Sequence, residues 1–183
     1  MMSKNSPEPW LSGSLPDVHP TLAPVVYSFQ QALEDLSRFT EGLTTNEMWE
    51  RPAGLPPVGF QLRHIAGSID RLLTYALERQ LSDEQMASLR QEDVAGATRE
   101  ELLAELSERL KIAESAIRNI DPESLQEARK VGRKELPTTL IGLLVHIAEH
   151  TQRHVGQAIT TAKVVRAARN SSGTGNPVNQ SIS

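Results

Sequence analysis

The stretch Thr139–Ala168, TLIGLLVHIAEHTQRHVGQAITTAKVVRAA, decides how the whole chain is read. It has no proline and is long enough for about eight helical turns. Set His146 at zero on a wheel of about 100° per residue, and Leu144, Ile147, Thr151, Val155, Ala158 and Ala162 fall between about 100° and 180°. They form an apolar stripe for a core. His150 falls at about 40° and His154 at about 80°, so His154 borders that stripe and His150 stands next to it. Glu149, Arg153 and Gln157 form a polar stripe beside them. One long amphipathic helix with three histidines at four-residue steps is therefore expected, capped by Thr138 or Thr139.

Three more long helices precede it. From Thr21 to Gly42, Leu22, Val25, Val26, Phe29, Leu33, Leu36 and Phe39 recur at three- and four-residue steps, and Gly42 is a stop. From Val58 to Glu78 the apolar face is Leu62, Ile65, Ile69, Leu72, Leu73 and Ala76, with His64 on its flank. From Thr98 to Ile120 it is Leu102, Leu103, Leu106, Leu110, Ala113 and Ile117. Thr44 with Glu47, Ser82 with Gln85, and Thr98 with Glu101 are capping boxes, two of them opening short helices. Asp121-Pro122 caps a further short one. RPAGLPPVG interrupts the chain at 51–59, and VGRKELPTT is irregular or a short strand. The fold expected is all-α, a four-helix bundle with short accessory helices. The long link between the second and third long helices allows a crossover in place of a plain up-down order.

The bundle is expected over residues 20–168, after a Pro-rich lead at 1–19 and before a disordered tail at 169–183. Within the lead, Trp10 and Leu11 are candidate anchors. A chain of 183 residues fits one domain of ordinary size. With 38% apolar and 23% charged residues it is globular rather than disordered. Without cysteine it has no disulfide, no thiolate metal ligand and no catalytic thiol of its own. A net charge of −4 gives no footprint for nucleic acid. No apolar run is long enough to span a membrane, and the N-terminus lacks a signal-peptide core, so cytoplasm is the default location.

The chemistry sits in the histidines. His19 lies in the lead; His64, His146, His150 and His154 lie at the margins of two apolar helix faces. Imidazoles at i and i+4 can share one ion, and a third from a neighbouring helix completes a three-nitrogen site with open positions. Such a site suits zinc, nickel or ferrous iron. Each ligating ring needs an acceptor for its other N–H, and Glu149 and Gln157 are the local candidates. Gln61, Tyr75, Glu149 and Arg153 are further pocket candidates, with no identifiable catalytic acid or base. Asp70 with Arg71 reads as a surface ion pair. Arg129, Lys130, Arg133 and Lys134 read as a solvated basic loop, with a turn at Gly132 and Pro137. Trp10 and Trp49 read as packing anchors.

HIAEHTQRHVGQ, His146–Gln157, and GFQLRHIAGSIDRLLTYA, Gly59–Ala76, resemble the DinB family of four-helix-bundle metalloenzymes, the DinB/YfiT type. The resemblance runs from about Pro20 to Arg166 in helix order. It implies His64, His150 and His154 as metal ligands, with His146 in the pocket wall or supporting a ligand from behind. It further implies a divalent metal ion (nickel, zinc or iron) and a small-molecule substrate. A thiol S-transferase using a low-molecular-weight thiol, or a hydrolase, are the activities it suggests, and homodimers occur among such bundles. A non-catalytic metal- or ligand-binding bundle, and a structural bundle with hydrogen-bonded histidines, are the alternatives.

Overall fold

Side-chain caps start the helices where the sequence expects them. In the computed structural model, which describes residues 7–173, α1 spans Ala23–Phe39, α2 Thr45–Met48, α3 Val58–Ala76, α4 Asp83–Gln91, α5 Arg99–Arg118 and α6 Leu140–Gly173. Thr44, Ser82 and Thr98 each accept from the backbone N–H three residues on, and Glu47, Gln85 and Glu101 reach back to the cap N–H. Gly42, with φ near +73°, turns the chain after α1 in a conformation other residues resist. Helix α6 runs to Gly173, past Ala168, because residues 169–173 carry no helix breaker before the glycine. The rest of the expected tail, 174–183, lies outside the described residues, as do residues 1–6 of the lead.

The four long helices pack as α1 on α6, α6 on α3, α3 on α5 and α5 on α1. Their directions follow from the polar contacts between them. Gln152 donates to the Ser28 carbonyl and Arg166 to that of Phe39, so α1 and α6 run parallel. Thr161 meets Pro56 and Gln157 meets Gln61, so α3 and α6 run antiparallel. Trp49, before α3, reaches Ala97, before α5, and Arg109 reaches Asp70, so α3 and α5 are parallel. Arg99 bonds Ser37 while Arg118 bonds Pro16, which makes α1 and α5 antiparallel. Up-down-down-up order requires a crossover between α3 and α5, and residues 77–98, with α4 among them, supply it.

Phe29 and Leu36, Leu62, Ile65 and Ile69, Leu102, Leu106 and Ile117, and Leu144 and Ile147 are all buried at the centre. Their burial is the main stabilising term of such a bundle. Among the described residues no helix is long and apolar enough to cross a membrane.

Of the two readings of VGRKELPTT the short strand holds: it lies in a two-stranded antiparallel ribbon, β1 (Ala128–Val131) with β2 (Leu136–Thr139), that starts before it. Two other expectations need correction. Arg129, read as part of a solvated basic loop, is buried: its Nε donates to the Ala76 carbonyl at 2.9 Å and its Nη2 to Glu127 at 3.1 Å. It thereby occupies the carbonyl end of α3, where a cation is favoured. Trp10 and Leu11, read as anchors, are 60% and 56% exposed. The lead is held instead by buried Pro9, by Leu15 and Val18 against the core, and by bonds from Tyr27 and Arg118 to the Gly13 and Pro16 carbonyls.

Candidate metal centre

His64 sits in the second turn of α3, and His150 and His154 lie one turn apart in the middle of α6. The antiparallel packing of α3 on α6 brings them face to face. Ring centroids are 4.4 Å apart for His64 and His154, 4.5 Å for His150 and His154, and 5.2 Å for His64 and His150. One nitrogen from each ring lies within 4.8 Å of the other two, and all three rings are partly buried. Phe60 stacks on the outer face of His64 at 5.4 Å.

The hydrogen bonds say which nitrogens are available. His154 Nδ1 lies 2.6 Å from Gln61 Oε1, and Gln61 Nε2 donates to Gln157 Oε1 at 3.0 Å. With its amide N–H committed to Gln157, the fully buried Gln61 offers His154 an acceptor. His154 therefore carries its proton on Nδ1 and keeps a lone pair on Nε2. His64 Nδ1 lies 2.8 Å from Glu92 Oε2, and Arg71 donates to Glu92 Oε1 at 2.8 Å.

Burial holds the His154 pKa down to about 4, with a further push from His64 and His150. His150 is lowered too, by burial first and then by His64. In the absence of an ion these rings are neutral at pH 7, which is the form that ligates a metal.

The other candidates divide clearly. His146 stands at the rim: its ring is 5.4 Å from that of His150 and its Nδ1 pairs with Glu149 at 2.7 Å, both side chains nearly half exposed. Glu149, the first acceptor candidate, is taken by His146 and Arg153. Gln157 acts at one remove, through Gln61. Tyr75 packs against the core about three turns along α3 from His64. Trp49 is an anchor as read, donating to the Ala97 carbonyl at 2.9 Å under the Arg63 guanidinium. His19 accepts from the Thr21 N–H in the lead, away from the other four.

Glu92 is the residue that sequence reasoning missed. It is 5% exposed at the C-cap of α4, in the crossover, with no periodic neighbour to mark it. The Asp70–Arg71 surface pair is not formed: Arg71 turns to Glu92, and Asp70 accepts from Arg109 and Gln85. Neighbours on one helix point about 100° apart, so each found a partner on a different element.

The sequence profile of the DinB superfamily matches residues 28–158, which include both histidine helices. The chain belongs to the DinB superfamily. Two solved structures resemble this DinB member in fold. A conserved protein of Enterococcus faecalis superposes with a TM-score of 0.64 at 20% identity, over 78% of this chain and 95% of its own. YfiT from Bacillus subtilis, described as a probable metal-dependent hydrolase with an unusual four-helix bundle topology, superposes at 0.61 with 14% identity, over 85% and 93%. No protein of curated function matches this DinB member in sequence.

Proposed function

We propose that this protein is a divalent-metal-dependent enzyme, a hydrolase, whose ion is held by His64, His150 and His154. The observation that carries the reading is the convergence of three partly buried imidazoles within 4.8 Å, two of them with Nδ1 already bonded to a protein acceptor. Three protein nitrogens leave coordination positions open, as catalytic sites do and structural sites do not. A bound ion would supply Lewis acidity and lower the pKa of a coordinated water. YfiT, a neighbour in fold, lends support through its description as a probable metal-dependent hydrolase.

The chain's own residues bind and orient. Glu92, bonded to His64 of the cluster, and Glu149, bonded to His146 at the rim, are each engaged by an arginine. Each carboxylate is thereby held in place, and their part is to orient rather than to bind the ion. Three neutral imidazoles would bring no charge of their own to the site, so it would suit an anionic substrate; use of a low-molecular-weight thiol there would make the enzyme a thiol S-transferase.

Elemental mass spectrometry on untagged protein tests the centre. Near-stoichiometric zinc, nickel or iron, lost in both His64→Ala and His150→Ala, is the expected result. Protein that holds no ion after reconstitution with each metal would sink the proposal. Ester and amide hydrolysis assayed against thiol transfer then separates the two activities.

A further inference from the structure

Helix α4 has no buried residue of its own, yet its C-cap carboxylate is among the few buried charges of the described residues. The helix is docked on α3 by polar contacts. Gln85 donates to Asp70 and Thr74 at 2.8 Å each, and Arg63 donates to the Gln91 carbonyl at 3.2 Å. Glu92 completes the set by lying flat along α3, one oxygen 2.8 Å from His64 Nδ1 and the other 2.8 Å from Arg71 Nη1.

Gly67 makes room for it. His64, Gly67 and Arg71 lie at i, i+3 and i+7, on one face of α3. A Cβ at Gly67 would stand 2.5 Å from Glu92 Oε1 and 2.7 Å from Arg71 Nη1, closer than side-chain carbons approach such atoms. The missing side chain is what lets a carboxylate from another element rest on the helix and span two turns of it.

We propose that Glu92 is a positioning residue for the metal centre, holding His64 as its Nδ1–H tautomer, with Arg71 fixing the carboxylate and Gly67 admitting it. The inference rests on the three-histidine reading of the site. An ionised carboxylate only accepts, so the proton between Glu92 and His64 belongs to Nδ1, and Nε2 keeps its lone pair. A carboxylate behind a ligating histidine raises its basicity and fixes the ring. Burying that carboxylate is costly alone and is offset by Arg71, 11% exposed at its side chain.

Glu92→Gln keeps the shape and inverts the chemistry. An amide has one acceptor and one donor end. The Arg71 guanidinium takes the acceptor, which leaves the NH2 facing His64 Nδ1 and favours the wrong tautomer. Adding Arg71→Met frees the amide oxygen to turn back to His64.

The test has two readouts. The His64 tautomer is read from ring nitrogen shifts in metal-free protein at about pH 9, where imidazole is neutral. Zinc affinity is read by competition with a chromogenic chelator. Wild type is expected as Nδ1–H, Glu92→Gln as Nε2–H with zinc bound about 10–100-fold more weakly, and the double variant restored toward wild type. Gly67→Ala should weaken zinc in the same direction. Unchanged tautomer in Glu92→Gln, or the same loss of affinity with no recovery in the double variant, would overturn the proposal. A tautomer that responds as expected in a protein that takes no zinc would overturn the metal reading and leave the positioning of His64 by Glu92 standing.

Discussion

Gly59→Ala should destabilise the protein although alanine is the better helix former. Gly59 lies in the first turn of α3, where a Cβ would stand 2.7 Å from Trp49 Cε2 and 2.8 Å from Cζ2. The ring cannot withdraw freely, because its Nε1 donates to the Ala97 carbonyl at 2.9 Å and Arg63 covers it at 5.0 Å. Overpacking of this kind costs about 1–3 kcal/mol. Losing the indole hydrogen bond adds about 1 kcal/mol if the ring is pushed off. The gain in helix propensity returns about 0.8–1 kcal/mol. The net is a loss of about 1–3 kcal/mol, or a fall in Tm of roughly 3–10 °C for a domain of this size. Gly156→Ala is the internal control: it is also helical, and its Cβ would meet nothing within 4 Å. It should gain about 1 kcal/mol from propensity alone. Urea midpoints and thermal melts of both variants give the comparison. A Gly59→Ala protein as stable as Gly156→Ala would refute the view that Trp49 is pinned between α3 and the start of α5. Trp49→Leu in the Gly59→Ala background should recover part of the loss, since the clash is with the ring itself.

Acid should weaken the metal-free protein through His154. Its pKa is held near 4 when folded, by burial first, and returns to about 6.5 on unfolding. The unfolded chain binds the extra proton, so this contribution is full above about pH 6.5 and is lost as pH falls towards 4. A pH dependence of the urea midpoint over that window left unchanged by His154→Gln would contradict it. Glu78→Gly should stabilise by about 1 kcal/mol, because Glu78 closes α3 in a left-handed conformation, φ near +57°, that glycine adopts without strain. Its lost contact, 3.9 Å to Arg129 from a 68% exposed side chain, is worth little; a lower Tm in this variant would count against the account. His146→Ala should leave metal stoichiometry unchanged, since its half-exposed ring stands at the rim, outside the three nitrogens that lie within 4.8 Å of one another. Loss of the ion, by the same elemental analysis, would make His146 part of the centre.

Much of this protein is local, and local features are legible. The capping boxes at Thr44, Ser82 and Thr98 act within three residues, so their spacing in the sequence is their geometry in the fold. The apolar stripes of α1, α3, α5 and α6 follow from about 3.6 residues per turn, and they place Leu144, Ile147, Thr151 and Val155 in the core and His150 and His154 beside it. The four-residue spacing put His150 and His154 at the margin of the core, and the family resemblance of the two helix motifs added His64 and left out His146; these are the three rings that the structure brings together.

Tertiary structure decided whatever depends on two elements meeting. The up-down-down-up order was only permitted by the length of the crossover; the pairing of helix faces selected it. Trp10 and Arg129 exchanged the roles expected of them, one exposed and one buried, because burial depends on what the neighbouring element offers, here the carbonyl end of α3. Glu92 lies 28 residues from His64 and carries no periodic signal. Its role arises only when α4 folds onto α3 over the bare backbone of Gly67. Helical periodicity states which face a residue occupies, but it says nothing about which distant residue will arrive there.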